Sequence, residues 1–183
     1  MTALLPVEKH NVYIRNTILK TVFPGHIHHA DKWIQEIQDI GDKMQRGTNL
    51  KCDMTNYTDL LHNPNYESLK NFAVDLLDLH ELYDPEKQDA IVDEMWGATY
   101  KQNDYADVHA HYPSAFSFVY YLKGDTNSAP LIFADSQNNF SIPAITGTFT
   151  VFPAHLFHGV PKHTKQTERV IIAGNIITKD KKK

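Results

Sequence analysis

Cysteine is nearly absent, with Cys52 the only one among 183 residues. An intramolecular disulfide and a cysteine-built zinc site are therefore excluded. That composition suits a reducing compartment, and a cytoplasmic location is expected. An excess of one charge is also missing. The formal net charge of −4 gives no general electrostatic case for nucleic acid binding. The basic end, Lys179-Asp180-Lys181-Lys182-Lys183, reads as a solvated terminus. No stretch approaches the ~20 apolar residues that span a membrane. Met1 to Pro6 lack a charged start and a long apolar run, so no signal peptide is expected. Repeats and linkers are lacking too. A hydrophobic fraction of 42% and a charged fraction of 22% then fit one soluble domain over residues 1–183.

What is present divides into a helical front (1–90) and a strand-rich back (91–178). Val12 to Phe23 reads as an early strand ending at Pro24-Gly25. Trp33, Ile34, Ile37, Ile40 and Met44 recur at helical spacing between His29 and Gln45, with Gly47 as the stop. Leu50 to Tyr57 suggests a short strand. Leu69, Phe72, Ala73, Leu76 and Leu77 repeat the helical pattern within Asn65 to His80, with Asn63 or Asn65 as cap. Strands are expected at Ile91–Tyr100, Val108–His111, Ala115–Leu122, Leu131–Ala134, Thr148–Phe152 and Arg169–Ile177. Turns are expected at Lys123–Asp125, Ser136–Asn139 and Ile145–Gly147. The fold class is α+β, mainly β: a jelly roll flanked by two or three helices.

Histidine is plentiful, with 11 copies. His109 and His111 stand at i and i+2, so an extended backbone points both imidazoles to one face. His158, far downstream on a short loop, supplies a third nitrogen ligand. Three such ligands on one side of a metal leave its other positions open. The alternative is hydrogen-bonded histidines without a metal. His155 reads as a loop-surface residue, and His26, His28 and His29 as a solvated turn. Arg169 opens the apolar strand Val170-Ile171-Ile172-Ala173, where an unpaired guanidinium is costly. A bound carboxylate would satisfy it through a bidentate fork. So would solvent at a strand edge, Glu168 or a remote acid.

Trp96 to Tyr121 resembles the core of the small iron(II)- and 2-oxoglutarate-dependent oxygenases, most closely a subgroup found in bacteria and phages. Phe152-Pro153 through Pro161 and Arg169 to Ile176 resemble the second half of that core. The resemblance covers roughly Trp96 to Ile177 and implies a double-stranded β-helix with iron at one open end. It implies that His109 and His158 are the two histidines of the family's metal triad. Arg169 matches the basic residue that grips the distal carboxylate of 2-oxoglutarate. Tyr121 is similar to a prolyl-hydroxylase tyrosine bonding the same carboxylate, and Tyr100 to another tyrosine lining that pocket. Two positions depart from the pattern. His111 stands where the triad has an acid, which leaves the site one charge more positive. Ile171 stands where the family often has Ser.

The activity implied is that of a dioxygenase, a prolyl-hydroxylase-like enzyme using Fe(II) and 2-oxoglutarate on a small-molecule or peptide substrate. A cupin-like enzyme or sugar-binding module is one competing reading. However, Tyr112 to Ser117 lacks the acid of the cupin motif. A catalytically inert jelly-roll binding protein is the other. Exposed barrel edges leave a homodimer open.

Overall fold

The computed structural model describes residues 16–41, 48–134 and 140–182. Eleven strands among them form two antiparallel sheets. They are β1 (Leu19–Val22), β2 (Leu50–Lys51), β3 (Asp53–Met54), β4 (Gln88–Tyr100), β5 (Tyr105–His109), β6 (Phe116–Lys123), β7 (Leu131–Phe133), β8 (Phe140–Ile142), β9 (Thr148–Pro153), β10 (His158–Val160) and β11 (Arg169–Asp180). The major sheet has the order β1-β9-β6-β11-β4-β3, and the minor sheet β2-β5-β10-β7-β8. Helices α1 (His26–Gly41) and α2 (Glu67–Asp75) accompany them. This is the mainly-β double-stranded β-helix with two helices that the sequence predicts.

Both faces of the major sheet are covered, which explains its poor polar alternation. Phe116, Phe118, Tyr120 and Leu122 of β6 join Trp33, Ile37 and Leu69 in a core between sheet and helices. Val119 and Tyr121, from the same strand, join Trp96, Phe152 and Ile171 in a second core between the sheets. The helices hold on by aromatic surface. Trp33 is fully buried and stacks on Tyr66 with centroids 4.8 Å apart. A ring system of that size removes ~150–250 Å² from water, a gross gain of about 4–6 kcal/mol. Gly97 of β4 lets α1 approach, since a Cβ there would sit 2.5 Å from Ile37 Cγ1.

Several expectations shift. α1 starts at His26, so His26, His28 and His29 open a helix instead of forming a solvated turn. The ring of His29 stacks on Trp33 at 4.6 Å, and His26 Nδ1 meets the Tyr120 hydroxyl at 2.6 Å. The end of the expected helix and its Gly47 stop lie outside the described residues, as does the Ser136–Asn139 turn. The strand expected over Leu50–Tyr57 becomes β2 and β3, which join different sheets. Asn63 caps a short 3₁₀ turn, Pro64–Tyr66, by accepting the Asn65 N–H. β8 carries no clear sequence signal and, among the described residues, pairs only with β7. Among the described residues the front of the chain gives β1, β2, β3 and the start of β4 to the sheets as well as helical cover. No helix among the described residues is long and apolar enough to cross a membrane.

Candidate metal centre and adjoining cavities

Strand register brings the histidines together. His158 pairs directly with His109 across β10 and β5, so their side chains rise side by side on one face of the minor sheet. His158 is thus the first residue of a strand, where a loop position is expected from sequence. His111 lies just beyond β5 and not within it. Its N–H donates to Ala154 O at 2.8 Å, and its C=O accepts from Ser114 N–H at 2.9 Å. This turn, not a continued strand, swings the third ring inward. The candidate ligand atoms of the three residues all lie within 4.8 Å of one another.

Hydrogen bonds set the tautomers. His109 Nδ1–H donates to Asp107 O at 2.6 Å, and His158 Nδ1–H to Leu156 O at 2.8 Å. Each Nε2 therefore keeps its lone pair, as a metal ligand needs. His111 Nε2 lies 3.3 Å from His158 Nε2. Two nitrogens held ~2.0–2.1 Å from one ion at right or tetrahedral angles stand roughly 2.8–3.4 Å apart, so the spacing fits. Burial, with repulsion from His158 and His109, holds the His111 imidazole down to about 3. Burial likewise holds His158 down to about 4 and lowers His109. All three are neutral near pH 7, the state that binds metal. The donor set fits a divalent transition ion.

A cavity between the sheets is lined by the three histidines, Trp96, Tyr100 and Arg169. Arg169 is fully buried, and its three guanidinium nitrogens make no hydrogen bond with a described residue. Its Cζ lies over the Tyr100 ring at 4.4 Å and the Tyr121 ring at 5.3 Å. Register explains the first contact, because Arg169 pairs with Tyr100 across β11 and β4. Glu168 does not neutralise it: that carboxylate takes Gln38 Nε2 at 3.1 Å and faces Lys123 Nζ at 3.3 Å. Ring faces soften the desolvation of the cation but leave its N–H groups unsatisfied. Such a cationic, donor-rich, acceptor-poor end is matched to a carboxylate. Tyr121 is fully buried, its hydroxyl has no hydrogen-bond partner among the described residues, and its ring supports Arg169. Burial raises the phenols of both tyrosines, so they stay protonated and able to donate.

The structure thus gathers His109, His111, His158, Arg169 and Tyr100 around one cavity, with Tyr121 beside them. His155 is exposed and meets Asn16 Oδ1 at 3.1 Å. Trp96, an aromatic that sequence reasoning offered as pocket-lining, does stand in the wall, its ring 5.9 Å from that of His111. Sequence reasoning missed Glu94, Asn175 and Ser117, a hydrogen-bonded row that enters this cavity at Ser117.

No family model matches the sequence, and no curated protein does. Solved structures do match. A prolyl-4-hydroxylase of Pseudomonas putida aligns with a TM-score of 0.65 at 15% identity, covering 88% of this chain and 92% of that one. The viral collagen prolyl hydroxylase of Paramecium Bursaria Chlorella virus-1, in its 2OG complex, aligns at 0.64 and 15% identity over 87% and 94%. The fold is that of the 2-oxoglutarate–iron(II) oxygenases. The oxygenase fold also embraces other chemistry. The non-heme alpha ketoglutarate dependent epimerase SnoN from nogalamycin biosynthesis aligns at 0.68 and 10% identity, over 89% and 78%.

Proposed function

We propose that this chain is an iron(II)- and 2-oxoglutarate-dependent dioxygenase acting as a hydroxylase on a small molecule or peptide. One observation carries the reading. A buried guanidinium without a hydrogen bond to any described residue faces the same cavity as three converging imidazole ligands. A carboxylate at one end and a metal at the other are what those groups can bind together, and 2-oxoglutarate offers both functions in one molecule. A cupin-like site has no use for Arg169.

In this reading His109, His111 and His158 hold the ion, and Arg169 grips the far carboxylate. Tyr100 and Tyr121 clamp the guanidinium flat, so little freedom is lost when the carboxylate arrives. Phe152, Val119 and Ile171 wall the space between and exclude water. Bound iron(II) supplies oxygen activation, in which 2-oxoglutarate becomes succinate and carbon dioxide while one oxygen atom enters the substrate as hydroxyl. The protein supplies placement. His111 in the acid's position leaves the ion's charge less neutralised, which strengthens its hold on the 2-oxo acid.

Anaerobic titration with iron(II) and then 2-oxoglutarate tests this. A weak visible charge-transfer band is expected, together with succinate release on admitting oxygen. Absence of both overturns the proposal, and a bound metal without turnover under any condition favours the inert binding protein.

A further inference from the structure

A second recess opens on the other side of the histidines. It is a cleft of about 320 Å³ that shares His109 and His111 with the cavity, and it is also lined by Tyr57, Glu94, Tyr112 and Asn175. Volumes of this order hold a small ligand or one side chain. Its charge is one-sided. Asp93 and Glu94 lie in its wall, and no Lys or Arg does. Neither acid makes an ion pair with a described residue.

Glu94 is aimed there by the backbone. Asn175 pairs with Glu94 and Ile176 with Val92, so Asp93 is an extra residue in β4. Val92 and Met95 pack toward the helices, while Trp96 packs between the sheets. Regular alternation from Trp96 puts Glu94, two residues earlier, on the same metal side. The extra residue at Asp93 comes before it and swings Val92 over to the helix side. A polar row then fixes Glu94. Buried Ser117 Oγ donates to Asn175 Oδ1 at 2.8 Å, and Asn175 Nδ2 donates to Glu94 Oε2 at 2.6 Å. A carboxylate oriented by two buried residues, with no cation of its own, is a pre-organised receptor for one. Tyr57 and Tyr112 add exposed ring faces that favour the same ligand. Tyr57 also packs edge-on against Trp96 at 5.0 Å, linking the cleft to the ring beside His111.

We infer that the hydroxylated substrate carries an ammonium or guanidinium group, and that Glu94 recognises it in this cleft. The inference rests on the oxygenase reading above. A free amine and a basic residue of a peptide offer the same chemistry, and the test separates them.

Binding to the iron(II)- and 2-oxoglutarate-loaded protein is measured by anaerobic calorimetry. One arm uses Nα-acetyl-L-lysinamide and Nα-acetyl-L-argininamide against the neutral Nα-acetyl-norleucinamide and Nα-acetyl-citrullinamide. The other uses short peptides, acetylated and amidated at their ends, with a central Lys or Arg against norleucine or citrulline at that position. In at least one arm the cationic probe binds about tenfold or more tighter than its neutral partner, the range of a charge-assisted hydrogen bond, and it stimulates succinate release. Glu94→Gln removes that preference. The wild-type protein gives an independent readout: raising salt from about 50 to about 500 mM weakens the cationic probe selectively. Equal binding of charged and neutral probes, no binding by any probe, or a preference that survives in Glu94→Gln overturns the inference while 2-oxoglutarate still binds. Failure of 2-oxoglutarate itself to bind instead overturns the oxygenase reading, and this inference with it.

Discussion

Arg169 sets stability against function within one side chain. A fully buried guanidinium with no hydrogen bond to a described residue burdens the folded protein until a carboxylate arrives. Replacing even a buried ion pair by apolar residues of like volume often stabilises by ~1–4 kcal/mol, and a lone charge has no partner left behind when it goes. Arg169→Met is therefore expected to raise the melting temperature of the ligand-free protein and to abolish 2-oxoglutarate binding. A lower melting temperature would show that the guanidinium is satisfied in solution. Arg169→Lys keeps the charge but loses the planar fork, and calorimetry should show 2-oxoglutarate affinity falling by about tenfold or more. Cys52 makes a contrasting case. It packs beside Tyr100 in the inter-sheet core, and burial pushes its thiol up to about 12. The thiolate is the reactive form. Iodoacetamide at pH 8 should leave the folded protein unmodified and label it once in denaturant, as intact mass will report.

Elements place these residues through register. His158 faces His109 because β10 and β5 pair at that point, and Arg169 faces Tyr100 because β11 and β4 do. Slipping a strand by one residue sends its side chains to the opposite face, so the site depends on pairing as much as on ligand identity. α1 braces the back of β4 at Gly97, where Ile37 leaves no room for a methyl group. Gly97→Ala is expected to cost ~1–3 kcal/mol by overpacking, read as a lower urea midpoint. An unchanged midpoint would mean that α1 moves off freely. Gly147, with φ of +85°, turns the chain into β9 in a conformation that other residues avoid.

For the whole molecule, acid is the weak side. An unperturbed imidazole titrates near 6.5, whereas folding holds His111 at about 3 and His158 at about 4, with His109 also lowered. The unfolded chain thus binds more protons between those values and 6.5. Stability from this source is complete above pH 6.5 and is lost as pH falls toward 3–4. Urea midpoints of the metal-free protein should drop through that window, and His111→Gln should flatten the slope. Bound metal adds stability above pH 6.5 and steepens the loss below it, because protons compete for the same nitrogens. Midpoints that do not respond to metal at pH 7.5 would contradict a three-histidine site.

Much of the fold was legible along the chain. β-branched and aromatic runs marked β4, β6, β9 and β11, and the spacing of Trp33 and Ile37 marked α1, because local periodicity reports which face is buried. β8 stayed hidden because Phe140-Ser141-Ile142 is too short to show a period. The split of β2 from β3 is a matter of which sheet each joins, which no local pattern encodes. At the site, the sequence by itself determined the chemistry on offer: three imidazoles, one guanidinium amid apolar neighbours, and no acid where the triad has one. Only the tertiary structure decided how those groups meet. Cross-strand pairing set His158 against His109, a turn after β5 brought in His111, and the pairing of β4 with β11 set Glu94 against Asn175. These are long-range hydrogen-bond registers, and they form between segments whose local sequences carry no record of each other.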